Sequence, residues 1–195
     1  LGRALADLEG GAGAVVTASG MGAVSLVTQL FKPDQVAVVP HDCYGGTYRL
    51  FNALNLRGAL QVRFVDFQDA AALNAAIADK PALVWIETPS NPLLRITDIA
   101  RIAEAAHAVG AIVVVDNTFL SPALQQPLLL GADIVIHSTT KYINGHSDVV
   151  GGAIVSKDRA LHDELAWWNN CMGLAGAPFD SYLTLRGVRT LSARL

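Results

Sequence analysis

Seven short apolar runs alternate along the chain with segments of helical periodicity. Two of the runs, Ile112-Val113-Val114-Val115 and Ile134-Val135-Ile136, are apolar at every position. A strand that is apolar on both faces is covered by helices on both sides, which is typical of parallel sheets. The alternation therefore predicts an α/β fold with a mostly parallel sheet and helices on both faces. The predicted strands are 14–17, 35–39, 60–65, 82–87, 111–116, 133–137 and 152–155.

The clearest helix lies between the fourth and fifth predicted strands. Thr97 or Asp98 can cap its start, and Gly110 ends it. Between them, apolar residues recur at the spacing of one helix face: Ile99, Ile102, Ala103 and Ala106. Similar patterns predict helices over 22–31, 68–79 and 180–195. The last pattern has no stop signal, so we expect a further domain to follow it.

Composition and charge exclude several classes of protein. Hydrophobic residues make up 52% of the 195 positions, which is too apolar for a disordered chain. The net charge is −3 with no basic cluster, so neither nucleic acid nor an anionic membrane is the expected partner. No segment reaches the ~20 apolar residues that span a bilayer. Cys43 and Cys171 lie far apart, which favours a reducing compartment, and we expect the cytoplasm.

Ligands of open α/β sheets bind beyond the carboxyl ends of the strands, so the residues that follow each strand are the candidates for a site. The first strand is followed by Ser19-Gly20-Met21-Gly22, which opens a helix. Free N–H groups at such a helix start suit a phosphate, although a plain strand-to-helix turn reads the same way. The turn lacks the third glycine of a dinucleotide fingerprint and the lysine of a P-loop.

Polar and aromatic residues also follow the second and fourth strands. Tyr44 could stack on a ring, and Arg49 could hold a carboxylate, unless both belong to a surface turn. Asn91 stands between two prolines that could aim its amide at a ligand, and a turn asparagine is the alternative. His41 and Cys43 have no second pair at ligand spacing, so no metal site is predicted.

A carboxylate and a lysine follow the two most apolar strands. Asp116 ends its strand, where a buried carboxylate is costly unless it has a cationic partner or caps a helix. A protonated ring nitrogen would serve as that partner. The hydroxyls of Ser138 and Thr140 could hold a phosphate, and Lys141 could form a Schiff base. A lysine that reaches solvent is the alternative.

Taken together, these strand ends describe a pocket for pyridoxal phosphate. The lysine would bind the cofactor covalently, and the acid would keep its pyridine nitrogen protonated. Two alternatives of other classes stay open. A nucleotide-binding protein would share the α/β pattern, but its glycine fingerprint is absent from this chain. A non-catalytic scaffold would have no need of the lysine.

Four segments carry a resemblance to a known family. Segments 138–142 and 144–149 resemble the pyridoxal-lysine signature of the Cys/Met metabolism family, and segments 84–92 and 115–119 resemble the same family. The resemblance extends over the whole chain. It implies the large domain of a fold-type I pyridoxal enzyme with a seven-stranded, mostly parallel sheet. Residues 1–195 would form this cofactor-binding domain, with an N-terminal arm and a C-terminal small domain outside the chain.

The resemblance also implies a role for each candidate residue. Lys141 would be the Schiff-base lysine and proton shuttle, and Asp116 would pair with the pyridine nitrogen. Tyr44, also catalytic, would stack on the ring and accept a proton from the substrate's ammonium group. Asn91 would lie near the cofactor's phenolic oxygen and the substrate carboxylate, and Arg49 would hold the distal acidic group of the substrate. The remaining cofactor-binding residues, those for the phosphate included, would be Gly20, Met21, Thr118, Ser138 and Thr140.

Segments 41–46 and 164–168 resemble those family members that catalyse γ-replacement. The implied reaction of methionine biosynthesis converts O-succinyl-L-homoserine and L-cysteine into L-cystathionine and succinate. γ-Elimination of cystathionine and sulfhydrylation of O-acetylhomoserine stay open as alternatives. The substrates would be small amino acids, and the assembly would be a homotetramer built from two dimers.

Overall fold

The computed structural model describes residues Leu1–Leu195, and its seven strands belong to one mixed sheet flanked by helices. The predicted α/β fold class is therefore confirmed. The strands are β1 Gly13–Thr17, β2 Val36–Pro40, β3 Gln61–Val65, β4 Leu83–Glu87, β5 Ile112–Asp116, β6 Ile134–His137 and β7 Gly152–Ser156. The helices are α1 Gly2–Glu9, α2 Gly20–Val27, α3 Gly45–Leu56, α4 Ala70–Ala78, α5 Ile99–His107, α6 Ser121–Leu124, α7 Arg159–Met172, α8 Pro178–Val188 and α9 Leu191–Arg194. Short 3-10 turns cover Thr28–Leu30 and Pro127–Leu130.

All seven predicted strands are confirmed, and their ends lie within one residue of the predicted ones. The agreement has a physical reason. Strands β4, β6 and β7 are buried along their whole length, so both of their faces are covered and nearly every residue is apolar. No helix combines the length and the apolarity that are needed to cross a bilayer.

The chain divides into two compact units, and the second is nearly continuous in sequence. It comprises Phe31–Asp116 and Leu130–Asp133 and contains α3 to α5. Its strands lie in the order β5-β4-β2-β3, and every pair is parallel. Their carboxyl ends therefore meet at one edge of this unit. Glu87 and Asp116, the last residues of β4 and β5, are partners in register there.

The first unit is built from three separate segments: Leu1–Leu30, Asn117–Leu129 and Ile134–Leu195. Its strands lie in the order β1-β7-β6, and β7 is antiparallel to both of its neighbours. Helix α1 packs against β1 and β7, and α2 packs against β6 and β7. Strand β1 is thus held by β7, which comes much later in the chain.

The helix ends largely follow their sequence signals. Asp98 caps α5 by accepting the Arg101 N–H at 3.1 Å, and Gly110 adopts the left-handed conformation beyond it, with φ of 81°. Ser19 caps α2 by accepting the Gly22 N–H at 3.0 Å, so α2 begins two residues before the predicted start. Helix α3 has no counterpart among the predicted helices.

The prediction of one continuous helix over 180–195 is wrong. The structure has α8 and then α9, with Thr190 in a non-helical conformation between them. A Cβ on Gly187, near the end of α8, would collide with the carbonyl oxygen of Asn144, so glycine allows the helix to approach that backbone. The Arg194 guanidinium then folds back to donate to the carbonyl oxygens of Tyr142 at 2.8 Å and Gly187 at 2.9 Å.

Candidate functional site

In the first unit, the start of α2 lies against the residue that follows β6. A Cβ added to Gly20 would lie 2.7 Å from the Ser138 Cβ and 3.0 Å from its Oγ. Real Cβ atoms do not approach so closely, so a glycine is required for the helix to begin here. The sequence prediction that placed Gly20, Met21 and Ser138 in one phosphate site is consistent with this packing.

The start of α2 at Gly20 and Met21, together with Ser138, forms a corner that fits the phosphate of the implied cofactor. The first N–H groups of a helix have no partner inside the helix, and they carry the positive end of its dipole. Gly20 and Met21 supply two such groups, and the Ser138 hydroxyl lies beside them. Gly20, Met21 and Ser138 are all only half-buried, so the corner is open to a ligand. Two amides and a hydroxyl at a helix start form a donor set that suits a phosphate.

Two threonines were also predicted at this site, and their contacts differ. Thr118 Oγ1 accepts the Ser138 N–H at 2.8 Å and so fixes the backbone of the phosphate corner. Thr140 Oγ1 donates to the Gly151 carbonyl at 3.2 Å and accepts the Gly151 N–H at 3.0 Å. A phosphate contact from Thr140 would require its hydroxyl to leave that carbonyl, so its role stays a prediction.

Lys141 has a fixed backbone and a free side chain. Its N–H donates to the Ser138 carbonyl at 3.2 Å, and its own carbonyl accepts the Gly145 N–H at 2.8 Å. The side chain is exposed. A lysine on a flexible stem can reach more than one atom of a ligand, which is what a proton shuttle needs.

A buried polar cluster, which sequence reasoning missed, supports the same backbone. His137 Nε2 lies 2.7 Å from Glu9 Oε1, and both side chains have no exposed surface. The Asn117 amide donates to the same oxygen at 2.9 Å. Asn117 and His137 immediately precede Thr118 and Ser138, so the cluster anchors the two strand ends of this corner. Glu9 lies on a short amphipathic helix, where a carboxylate is ordinarily read as solvent-facing.

In the second unit, one carboxylate joins two predicted site loops. Glu87 Oε2 accepts the Tyr44 N–H at 2.8 Å, and Glu87 Oε1 accepts the Asn91 N–H at 2.8 Å. Glu87 is only 6% exposed, whereas the side chains of Tyr44 and Asn91 are exposed. Sequence reasoning gave Glu87 no role. The argument that was made for Asp116, that a carboxylate buried at the end of an apolar strand is costly without a partner, applies equally to Glu87 and could have identified it.

Further acidic groups surround Glu87. Asp116 is its partner in register on β5, and Asp42 accepts the Ser90 hydroxyl at 2.8 Å. Burial, followed by repulsion from Asp116, raises the pKa of Glu87 to about 8, although its bonds to the Tyr44 and Asn91 amides act in the opposite direction. Burial and Glu87 likewise raise the pKa of the Cys43 thiol to about 12, so this thiol stays protonated.

The acidic cluster and Arg49 differ in the ligand groups they could take. A carboxylate edge that contains Asp116 attracts a cation, and a protonated pyridine nitrogen is of that type. Arg49 lies on α3 and is exposed. A Cβ on Gly45 would lie 3.3 Å from its Nη1, so the guanidinium folds back along the first turn of α3. It shares no hydrogen bond with the other predicted site residues.

The stability of the protein without cofactor is expected to fall as the pH rises from 4.5 to about 8, through the titration of Glu87. In this range folded Glu87 retains a proton that the unfolded chain has lost, so stability decreases with pH. Glu87→Gln cannot titrate and should show a smaller decrease. Thermal unfolding midpoints of both proteins across this range test the prediction. Equal slopes would contradict it.

The whole chain, residues 1–195, matches the family model described as Cys/Met metabolism PLP-dependent enzyme. A cystathionine gamma-synthase of Escherichia coli (strain K12) is 62% identical over 194 residues, which are 99% of this chain and 50% of that protein. Cystathionine gamma synthase from Xanthomonas oryzae pv. oryzae, in complex with cystathionine, superposes with a TM-score of 0.97 at 62% identity, over 98% of this chain and 50% of that one.

A second kind of enzyme is also similar. Cystathionine gamma-lyase from Lactobacillus plantarum, complexed with L-serine, superposes with a TM-score of 0.93 at 44% identity, over 96% of this chain and 49% of that one. The chain thus spans about half the length of the relatives that it matches. The family match nevertheless covers every residue from 1 to 195. The chain belongs to the family of Cys/Met metabolism enzymes that depend on pyridoxal phosphate.

Proposed function

We propose that the intact protein containing this chain catalyses a γ-replacement, in which O-succinyl-L-homoserine and L-cysteine give L-cystathionine and succinate. The observation that carries this proposal is the 62% identity, across 99% of the chain, to a protein named cystathionine gamma-synthase. The Cγ–O bond of the homoserine ester breaks and releases succinate, and a bond forms between Cγ and the cysteine sulfur.

Lys141 and Asp116 are the proposed centre of the chemistry. Pyridoxal phosphate supplies an electron sink that makes the α and β protons of the amino acid removable. Lys141 would hold the cofactor covalently, and its amine would move protons at the α and β carbons of the substrate. Asp116 would pair with the protonated ring nitrogen. Tyr44 would pack on the ring and orient it.

The remaining proposed contacts bind and orient. Gly20 and Met21 donate their N–H groups to the phosphate, and Ser138 donates its hydroxyl; Thr118 fixes Ser138, and Thr140 completes the group. Asn91 binds near the substrate carboxylate, and Arg49 holds the distal succinyl carboxylate. The open donor corner at Gly20 and Ser138 supports the phosphate assignment.

γ-Elimination of cystathionine to cysteine, 2-oxobutyrate and ammonia is the second candidate. The similarity to the Lactobacillus plantarum lyase favours it, because the match extends over nearly the whole chain at 44% identity. Sulfhydrylation of O-acetylhomoserine would use the same cofactor and lysine. The three reactions differ in how the intermediate after loss of the γ substituent is used, so substrate assays separate them.

We also propose the surroundings in which the enzyme works. The chain would be the cofactor-binding domain of a longer protein with an N-terminal arm and a C-terminal small domain, which assembles as a homotetramer. Exposed aromatic side chains on α7 and α8, among them Trp167, Phe179 and Tyr182, would be available to such an assembly. Cys43 and Cys171 are free thiols, which is compatible with a cytoplasmic location.

The test uses the intact protein. Its visible spectrum, recorded before and after borohydride, should show a yellow band that reduction removes, and peptide mapping should place the label on Lys141. Cystathionine and succinate should then form from the two proposed substrates. A colourless protein that cannot be loaded with pyridoxal phosphate would overturn the enzyme assignment. Rapid release of 2-oxobutyrate from cystathionine, without synthesis of cystathionine, would favour the lyase.

A further inference from the structure

Both oxygens of Glu87 are used, and each holds a different loop. The Tyr44 N–H, at the start of α3, donates to Oε2, and the Asn91 N–H, in the loop after β4, donates to Oε1. The two bonds are 2.8 Å long, so both are well-formed hydrogen bonds. One buried carboxylate therefore fixes two backbone positions that are far apart in sequence.

We propose that Glu87 is a positioning residue for the site: its carboxylate holds the Tyr44 and Asn91 backbones together, and so sets where the ring-stacking and substrate-binding side chains stand. This inference rests on the proposed function for the roles of those two side chains. Glu87 itself points its oxygens at backbone amides, so it acts through Tyr44 and Asn91.

Stability alone does not account for a carboxylate at this position. Glu87 is buried beside Asp116 and Asp42, and this arrangement disfavours its ionised form. Arg95 is paired elsewhere in the cluster: its Nε lies 3.8 Å from Asp42, and its Nη1 lies 3.4 Å from Asp66. A group that is retained at an energetic cost, next to predicted site residues, is typical of a functional site.

We call the pair of hydrogen bonds from the Tyr44 and Asn91 amides to Glu87 the clamp. Its chemistry makes one substitution diagnostic. Both oxygens of a carboxyl group can accept hydrogen bonds, whether or not the group carries a proton, whereas the glutamine amide has one acceptor oxygen and one NH₂ donor. Glu87→Gln has almost the same shape, but it would place its NH₂ against the Tyr44 or the Asn91 N–H. The variant therefore removes one of the two bonds while keeping the volume of the side chain.

Amide hydrogen exchange in the intact protein without cofactor tests the clamp directly. In Glu87→Gln, exchange at the Tyr44 or the Asn91 amide is expected to become up to about tenfold faster, as follows from losing one hydrogen bond. Asp98→Ala is the matched control, because it removes a carboxylate that accepts only the Arg101 N–H, at the start of α5. It should leave exchange at residues 44 and 91 unchanged.

A second readout connects the clamp to ligand binding. Titration of the same proteins with pyridoxal phosphate should show about tenfold weaker binding for Glu87→Gln, and Asp98→Ala should bind like the wild type. In steady-state assays the KM for the amino-acid substrate should rise more than kcat falls, because Lys141 is untouched. If Glu87→Gln does not fold, Glu87→Asp takes its place, since it keeps the charge but shortens the reach to both amides.

The outcomes separate this inference from the proposed function. Unchanged exchange at both amides in a folded Glu87 variant would overturn the clamp. Faster exchange with unchanged cofactor affinity and unchanged KM would overturn the positioning role. A wild-type protein that does not bind pyridoxal phosphate would instead overturn the proposed function, and with it the ligand half of the inference, whereas the exchange result would still report on the clamp.

Discussion

Replacement of Lys141 by alanine in the intact protein is expected to lower kcat for the proposed γ-replacement on the order of 10⁴-fold, at the upper end of what a positioned acid–base group contributes. The physical reason is that alanine has no group that can carry a proton between the α and β carbons of the substrate. Arginine should be nearly as inactive, since it keeps the charge but does not give up its proton. The measurement is the rate of succinate release with saturating substrates.

Lys157 provides the matched control for this experiment. It is also exposed and belongs to the same unit, but it follows β7, away from every predicted site residue in the sequence. Lys157→Ala should retain the wild-type kcat. Loss of an essential acid–base group lowers the rate by about a hundredfold or more. If Lys141→Ala kept more than about one part in a hundred of the wild-type rate, Lys141 would have no place in the mechanism.

Replacement of Glu9 by alanine is expected to lower the free energy of unfolding by about 1–3 kcal/mol, the typical cost of leaving a buried polar group without its partner. The substitution leaves His137 Nε2 without its partner at 2.7 Å and removes one acceptor of the Asn117 amide. Neither group can reach water, since both residues are fully buried. Urea unfolding of the intact protein without cofactor, followed by circular dichroism, measures the change.

Asp7 is the control for the Glu9 experiment because it lies on the same helix and is exposed. Asp7→Ala should change the free energy of unfolding by no more than about 0.5 kcal/mol, as is usual for surface positions. A double-mutant cycle of Glu9→Ala with His137→Ala should show a coupling energy between the two positions, since the residues are in contact. A cost below about 1 kcal/mol for Glu9→Ala would mean that solvent replaces the lost partner.

The strands could be predicted closely from sequence because their signal is local. A strand covered on both faces is apolar at nearly every position, and β4, β6 and β7, which are buried along their whole length, have this pattern up to their polar last residues. Helix starts were predicted where a side chain gives the signal, as Asp98 does for α5. The sequence did not predict that α8 ends at Val188, because it was not found to carry a helix-ending signal before the turn at Thr190.

The candidate site could be predicted only in part. Residues at strand ends were selected because the topology of a parallel sheet gathers those ends. The structure brings Gly20 and Ser138 into contact and bonds Tyr44 and Asn91 to one carboxylate. The supporting residues were missed for a different reason. Glu9 meets His137 across 128 positions of the chain, and the periodicity of an eight-residue helix contains no information about such a partner.

The three-segment construction of the first unit has a consequence for synthesis on the ribosome. Its strand β1 pairs with β7 and its Glu9 pairs with His137, so residues 9–17 must wait until residues 137–156 have been synthesised before they find their partners. The second unit is nearly one continuous stretch whose parallel strands follow one another closely in sequence. It is therefore expected to fold first during translation, while α1 and β1 remain accessible to chaperones until β6 and β7 leave the exit tunnel.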